Sequence, residues 1–170
     1  MTVIAVVIAL ALVGADQLIK RAVVLRLKPI GIYPVIDGLF SLAYVENRGM
    51  AFGFLHNFSW VLVPLTILGS FFLVLMLRRY QIHSRWSRAS LTLLFAGGVG
   101  NLVDRLFRGY VVDYLSVHFF PFVFNLADCC VVIGGILLVI AVFRSDLSTD
   151  ASLGKKDRSK SSKAAADSKR

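Results

Sequence analysis

Charge is scarce in this chain. Only 17% of its 170 residues are Asp, Glu, Lys or Arg, while 57% are hydrophobic, against about a quarter and about half in soluble domains. That deficit argues for a membrane protein. Acid is scarcer than base, with 10 Asp and Glu against 19 Lys and Arg, and the net charge of +9 invites a nucleic-acid reading. The distribution removes it: 8 of the 19 cations fall from Arg144 onward. No organised basic and aromatic surface is present elsewhere, so no nucleic-acid partner is expected.

Histidine and cysteine are also few. His56, His83 and His118 stand in separate segments without ligand spacing, so no metal site is expected. There is no GxxxxGK loop to cradle a phosphate, and no cofactor is expected. Cys129 and Cys130 are neighbours in an apolar run, where a mutual disulfide is strained, and packing is their expected role. A Cys129 nucleophile with His118 as base is disfavoured, because a thiol deep in an apolar helix ionises poorly.

Apolar length, by contrast, is abundant. A membrane core about 30 Å thick needs about 20 mainly apolar residues in a helix, and four stretches qualify: 2–19, 58–77, 89–107 and 124–143. The first could instead be a cleaved leader, since VGA precedes Asp16. It lacks a basic n-region, however, and Lys20 and Arg21 follow it, so a retained helix is expected. Alternating spans then bring Asp16, Asn47, Asn101, Asp104, Arg105, Asp113, Asn125 and Asp128 to one side of the membrane. Asp37 and Glu46 fall there too. The opposite side holds 12 Lys and Arg against 7, so it is expected to be cytoplasmic with both termini, leaving the acidic side exoplasmic; Lys20 and Arg21 argue locally the other way.

The expected fold is a membrane all-α core of four transmembrane helices with a small exoplasmic β-sheet, or cradle, between helices 1 and 2. The Asp-Gly pair in YPVIDGLFSLAYV signals a hairpin, with Phe40, Leu42 and Tyr44 on one side and Ser41 and Ala43 on the other. The connection 108–123 is expected to lie in the membrane interface. Residues 1–143 form the helical domain, with the β-rich insertion at about 28–56. Residues 144–170, lacking aromatics and rich in Ser, Lys and Asp, read as a disordered basic cytoplasmic tail.

Within the third span Asn101, Asp104 and Arg105 share a helical face, and Gly97 and Gly98 one turn earlier permit a close neighbour. A polar clasp with Asp104 paired to Arg105 or Arg108 is the expected role. Gly109 ends that helix and leaves Asp113 extended in an apolar setting, while Asn125 caps a helix with Asp128 in its first turn. Acids at the lipid boundary are costly, and two that meet retain a proton between them. That is equipment for hydrolysis with one acid activating water and the other polarising a carbonyl. The alternative is that each Asp only caps or pairs.

DQLIK at 16–20, NRGMAFG at 47–53, GNLVDR at 100–105, GYVVDY at 109–114 and FNLADCCVVIG at 124–134 occur in this order. In them the chain resembles the lipoprotein signal peptidase (signal peptidase II) family of bacterial membrane aspartyl proteases. The resemblance implies a multi-pass, monomeric enzyme of the inner (cytoplasmic) membrane, surrounded by membrane lipids. Its substrates would be lipidated prolipoproteins, cut just before a diacylglyceryl-modified cysteine. By motif position it implies Asp113 and Asp128 as the catalytic dyad. Asn47, Gly49, Asn101, Arg105 and Asn125 would bind substrate or support the site, and Asp16, Lys20 and Asp104 would support the structure. Two other readings compete: a CDP-alcohol-type phospholipid headgroup transferase, which would need metal and more clustered acids, and a small proton-coupled transporter, which would spread its acids through the membrane depth.

Overall fold

The computed structural model describes residues 3–49, 68, 69, 75 and 85–144. Helix α1 spans Val3–Arg26, strands β1 Ile32–Ile36 and β2 Phe40–Asn47, helix α2 Arg85–Arg108, strands β3 Val111–Val117 and β4 Val123–Phe124, and helix α3 Leu126–Arg144. By length and composition α1 and α3 can each cross a membrane. The expected span 58–77 lies outside the described residues except for Leu68, Gly69 and Leu75, which are helical, and the expected tail lies outside them beyond Arg144.

All three helices differ from their expected limits. Helix α1 runs on to Arg26 because its polar residues find partners inside the bundle and need no water, Gln17 and Lys20 on α2 and Asp16 on α3. Phe124, expected inside a span, belongs to β4. Helix α2 stops at Arg108, with Gly109 at φ 78° donating its N–H to Arg105 O at 3.2 Å. This is the left-handed ending that glycine permits.

Gly97 and Gly134 set how closely α2 and α3 approach. A Cβ on Gly97 would lie against Ala127 O, and one on Gly134 would lie 3.0 Å from Leu94 N. Ser90 Oγ adds a 2.7 Å bond to Gly134 O. These contacts make α2 and α3 antiparallel. Helix α1 runs parallel to α2: Ile4, Ala5 and Ile8 line a groove with Arg88, Thr92 and Leu93, while Lys20 reaches Asp104.

The sheet corrects the expectation that the first connection alone would build it. It is antiparallel with order β1-β2-β3-β4, and half of its strands come from the second connection. The Asp-Gly hairpin forms as expected, with Leu39 N–H donating to Ile36 O at 3.1 Å and Gly38 at φ 69°. Val23 of α1 and Leu27 just beyond its end pack with Val112 and Tyr114 of β3, and Leu42 and Tyr44 lean on this cluster. The sheet is therefore seated on the end of the helices. The alternation expected for β2 holds through Ala43, with Ser41 and Ala43 buried. The register against β3 then shifts by one residue between Leu42 and Val45.

Candidate active site

That shift decides what faces Asp113. Cross-strand partners point to the same face of a sheet, and beyond the shift Val45 pairs with Asp113 and Asn47 with Val111. Asn47 thus arrives diagonal to Asp113 and donates from Nδ2 to Asp113 Oδ2 at 2.8 Å. Continued without the shift, the Leu42–Leu115 register would put Glu46 there, since a one-residue slip exchanges the faces of a strand. Gly49, at φ 98°, directs its N–H to Asn47 Oδ1 at 3.0 Å. The amide is oriented by that bond, leaving its NH2 for the carboxylate.

Asp128 is held at the start of α3 by a reciprocal cap. Its N–H donates to Asn125 Oδ1 at 2.9 Å, and Asn125 N–H returns a bond to Asp128 Oδ2 at 3.1 Å. This is the capping-box arrangement with Asp in the Glu position. The two carboxylates are linked through two amides. Asn125 Nδ2 donates to Asp113 Oδ1 at 2.6 Å and to Asn101 Oδ1 at 3.1 Å. Asn101 Nδ2 in turn donates to Asp128 Oδ1 at 2.7 Å. Asn101 Oδ1 also accepts from Lys20 Nζ at 3.0 Å. Both faces of the Asn101 amide are thereby assigned by their neighbours.

The acids differ in exposure: Asp113 is 1% exposed, whereas Asp128 is half-buried. Burial pushes the Asp113 carboxyl up to about 6, and the charge of Asp128 adds to the rise against the opposing bonds from Asn47 and Asn125. An acid raised toward neutrality beside a second carboxylate is suited to acid–base catalysis. Arg105 donates to Asn101 O at 3.4 Å, lies in the field of Asp128, Asp113 and Asp104, and its buried Nε has no hydrogen-bond partner among the described residues.

Beneath the site lies a buried ionic cluster. Lys20, fully buried, reaches Asp16 and Asp104 at 2.9 Å each. Asp104 also pairs with Arg108, which settles the two expected alternatives against Arg105, and accepts Val112 N–H at 3.2 Å. Asp16 accepts Ala127 N–H at 3.1 Å, so a carboxylate on α1 caps the helix that carries Asp128. Sequence reasoning passed over Gln17, which donates to Asp104 and Gly100 O and accepts from Arg108. Its place in the same motif as Asp16 and Lys20 was the available signal. It also passed over Tyr114, whose hydroxyl accepts Leu126 N–H at 3.3 Å, and over the Glu46 cluster with Lys28, Tyr44 and Arg48. Cys129 and Cys130 are free thiols, half-buried and buried.

The family model described as signal peptidase (SPase) II matches residues 8–144. A lipoprotein signal peptidase from Caldanaerobacter subterraneus subsp. tengcongensis is 41% identical over 134 residues, covering 79% of this chain and 92% of that protein. Another from Clostridioides difficile is 38% identical over 138 residues, covering 81% and 93%. A bacterial membrane enzyme solved by the in meso method at 2.3 Å superposes with a TM-score of 0.75 at 29% identity, over 86% of this chain and 91% of that one. The class these similarities define is the membrane aspartyl protease. Within that class, the chain belongs to the signal peptidase II, or lipoprotein signal peptidase, family. Neither the headgroup transferase nor the transporter reading draws support from these relatives.

Proposed function

We propose that the chain removes signal peptides from prolipoproteins, cutting just before the diacylglyceryl-modified cysteine, with Asp113 and Asp128 as the catalytic pair. The observation that carries this reading is the amide linkage Asp113–Asn125–Asn101–Asp128, with Asn125 and Asn101 donating to the two carboxylates at 2.6 and 2.7 Å. It joins a residue within β3 to one in the first turn of α3. In the reaction, the ionised member takes a proton from water as the water attacks the scissile carbonyl, and the protonated member donates to the carbonyl oxygen. The proton is shared by the coupled pair. Asn47, Gly49, Asn101 and Asn125 hold the two carboxylates. Arg105, with an unfilled donor beside them, binds substrate, while Asp16, Lys20 and Asp104 brace the helices from below.

The same reading places the dyad at the exoplasmic face of a four-span protein with both termini in the cytoplasm. Support comes from the parallel course of α1 and α2, because a chain that leaves α1 on one side must recross before starting α2 in the same direction. Residues 58–77 are apolar and long enough to do so. Lys20, which argued locally against this orientation, is consumed in a buried ion pair and does not count as a loop charge. Residues 1–143 form the peptidase domain, 144–170 a disordered tail, and the enzyme works as a monomer.

Asp113→Asn and Asp128→Asn, assayed on a lipidated precursor in membranes, test the dyad. Each variant is expected to insert and bind precursor but leave it uncut; near-normal turnover in either removes that residue from the chemistry.

A further inference from the structure

At the end of the bundle away from the dyad, α2 begins and α3 finishes around one indole. The guanidinium carbon of Arg85 lies 5.9 Å from the centre of the Trp86 ring, and that of Arg144, brought from the other helix, lies 5.7 Å away. Trp86 is half-buried and both arginines are exposed. The geometry therefore gathers two like charges on one ring. All six Asp and Glu among the described residues lie toward the dyad end, on the C-terminal halves of α1 and α2, the sheet and the first turn of α3. The first turn of α2 contains no acid, so Arg85 sits at the positive end of a helix dipole. Each of these features disfavours the arrangement unless an anion is supplied from outside.

The surroundings identify the anion's carrier. Arg144 ends a segment long enough to span a membrane, which sets its guanidinium at headgroup depth, and indoles concentrate at that depth. Ile136, Val139, Ile140 and Phe143 are all exposed, and their spacing of three, one and three residues puts them on one helical face. Arg144 follows Ile140 by four residues and continues that line. A cationic pair at the end of an apolar stripe matches a phosphodiester attached to an acyl chain, and guanidinium forks suit phosphate oxygens. We propose that Arg85, Trp86 and Arg144 form a binding surface for an anionic phospholipid of the cytoplasmic leaflet, with its phosphate at the two arginines and an acyl chain along the exposed face of α3. This rests on the membrane orientation proposed above and is independent of the dyad.

The full chain carrying Trp60→Phe, so that Trp86 is the remaining tryptophan, is titrated in phosphatidylcholine nanodiscs containing increasing phosphatidylglycerol. A saturable change in Trp86 emission is expected, weakened at least ~10-fold by Arg144→Gln or Arg85→Gln, a scale that matches loss of one charge-assisted contact. Inorganic phosphate added to detergent-solubilised protein is expected to leave the emission unchanged. Equal responses with and without phosphatidylglycerol, or unaltered titrations in both glutamine variants, overturn the proposal. So does an equal response to free phosphate, which makes the surface a general anion site. A response seen only after deletion of 145–170 also overturns it, by making the chain's own Asp146 or Asp150 the occupant. Precursor cleavage in the same variants is expected to match the parent in phosphatidylcholine, separating this test from that of the dyad.

Discussion

Replacing Lys20 with Met should destabilise the bundle at the dyad end. The Lys20 ammonium is fully buried and lies 2.9 Å from both Asp16 and Asp104 and 3.0 Å from Asn101 Oδ1. With Arg108 on Asp104 the cluster holds two positive and two negative groups and is neutral. Met fills the same stem volume but leaves an uncompensated negative charge between α1 and α2. Breaking a buried pair by removing one partner costs about 3–5 kcal/mol. At about 2–4 °C per kcal/mol for a chain of this size, thermal unfolding of detergent-solubilised protein should fall by roughly 6–20 °C. Charge balance makes a sharper claim. Adding Asp16→Asn to Lys20→Met removes the stranded charge, so the double variant should be more stable than Lys20→Met alone, though Asn retains only one oxygen for Ala127 N–H. A loss below about 1 kcal/mol for Lys20→Met, or a double variant no better than the single, would refute the account of the cluster as a neutral buried network.

Other perturbations separate neighbouring effects. Gly97→Ala places a Cβ against Ala127 O, whereas Gly14→Ala meets nothing within 4 Å among the described residues. The first should lower the unfolding temperature by prising α2 from α3, and the second should leave it unchanged or raise it, since Ala favours a helix over Gly by about 1 kcal/mol. Cleavage should decline as pH rises through about 6, the value to which burial pushes Asp113, because the coupled pair then loses the proton it shares. Asn47→Ala deletes a donor that favours the ionised form, so the declining limb in a pH–rate profile should move to higher pH; an unmoved or acid-shifted limb counts against the assignment. Arg48, Lys28 and Tyr44 hold the Glu46 carboxyl down to about 2. Glu46→Gln should therefore destabilise the sheet above pH 4.5, by about 0.5–1 kcal/mol because the partner cations are solvated. That difference should fade as acid protonates Glu46 toward pH 2, as read by unfolding at several pH values.

The legible parts of this molecule were those written in local chemistry. Apolar length marked α1 and α3, Gly109 marked the end of α2, Asp37-Gly38 marked a hairpin, and Asn125 three residues before Asp128 marked a cap. Each depends on residues within one contiguous stretch of chain. Helix spacing likewise put Asn101, Asp104 and Arg105 on a common face, yet it left Asp104 with two possible partners, because both Arg105 and Arg108 lie within reach along the helix. Choosing between them required knowing that Gln17 bridges Arg108 and Asp104 Oδ1 while Lys20 and Val112 N–H occupy Asp104 Oδ2, and those partners come from α1 and β3. Lys20 was misleading for the same reason. Read along the chain it follows an apolar run and resembles a loop charge, but the approach of α2 buries it.

The pairing of Asn47 with Asp113 shows most directly where a pattern of alternating residues stops being sufficient. In β2, Glu46 and Asn47 are adjacent and point to opposite faces, so their roles depend on which face meets Asp113. A register shift between Leu42 and Val45 makes that choice, and alternation extended from Phe40 and Leu42 makes the opposite one. With the opposite choice a third carboxylate would stand against two acids, one of them fully buried, and the repulsion would have to be met by protonation or by rearrangement of the strand. With the observed choice an amide meets Asp113, while Glu46 turns to Lys28, Tyr44 and Arg48. The irregularity in the sheet is therefore tied to the electrostatics of the site, and deleting one residue between Leu42 and Val45 should abolish cleavage even where the helices still assemble.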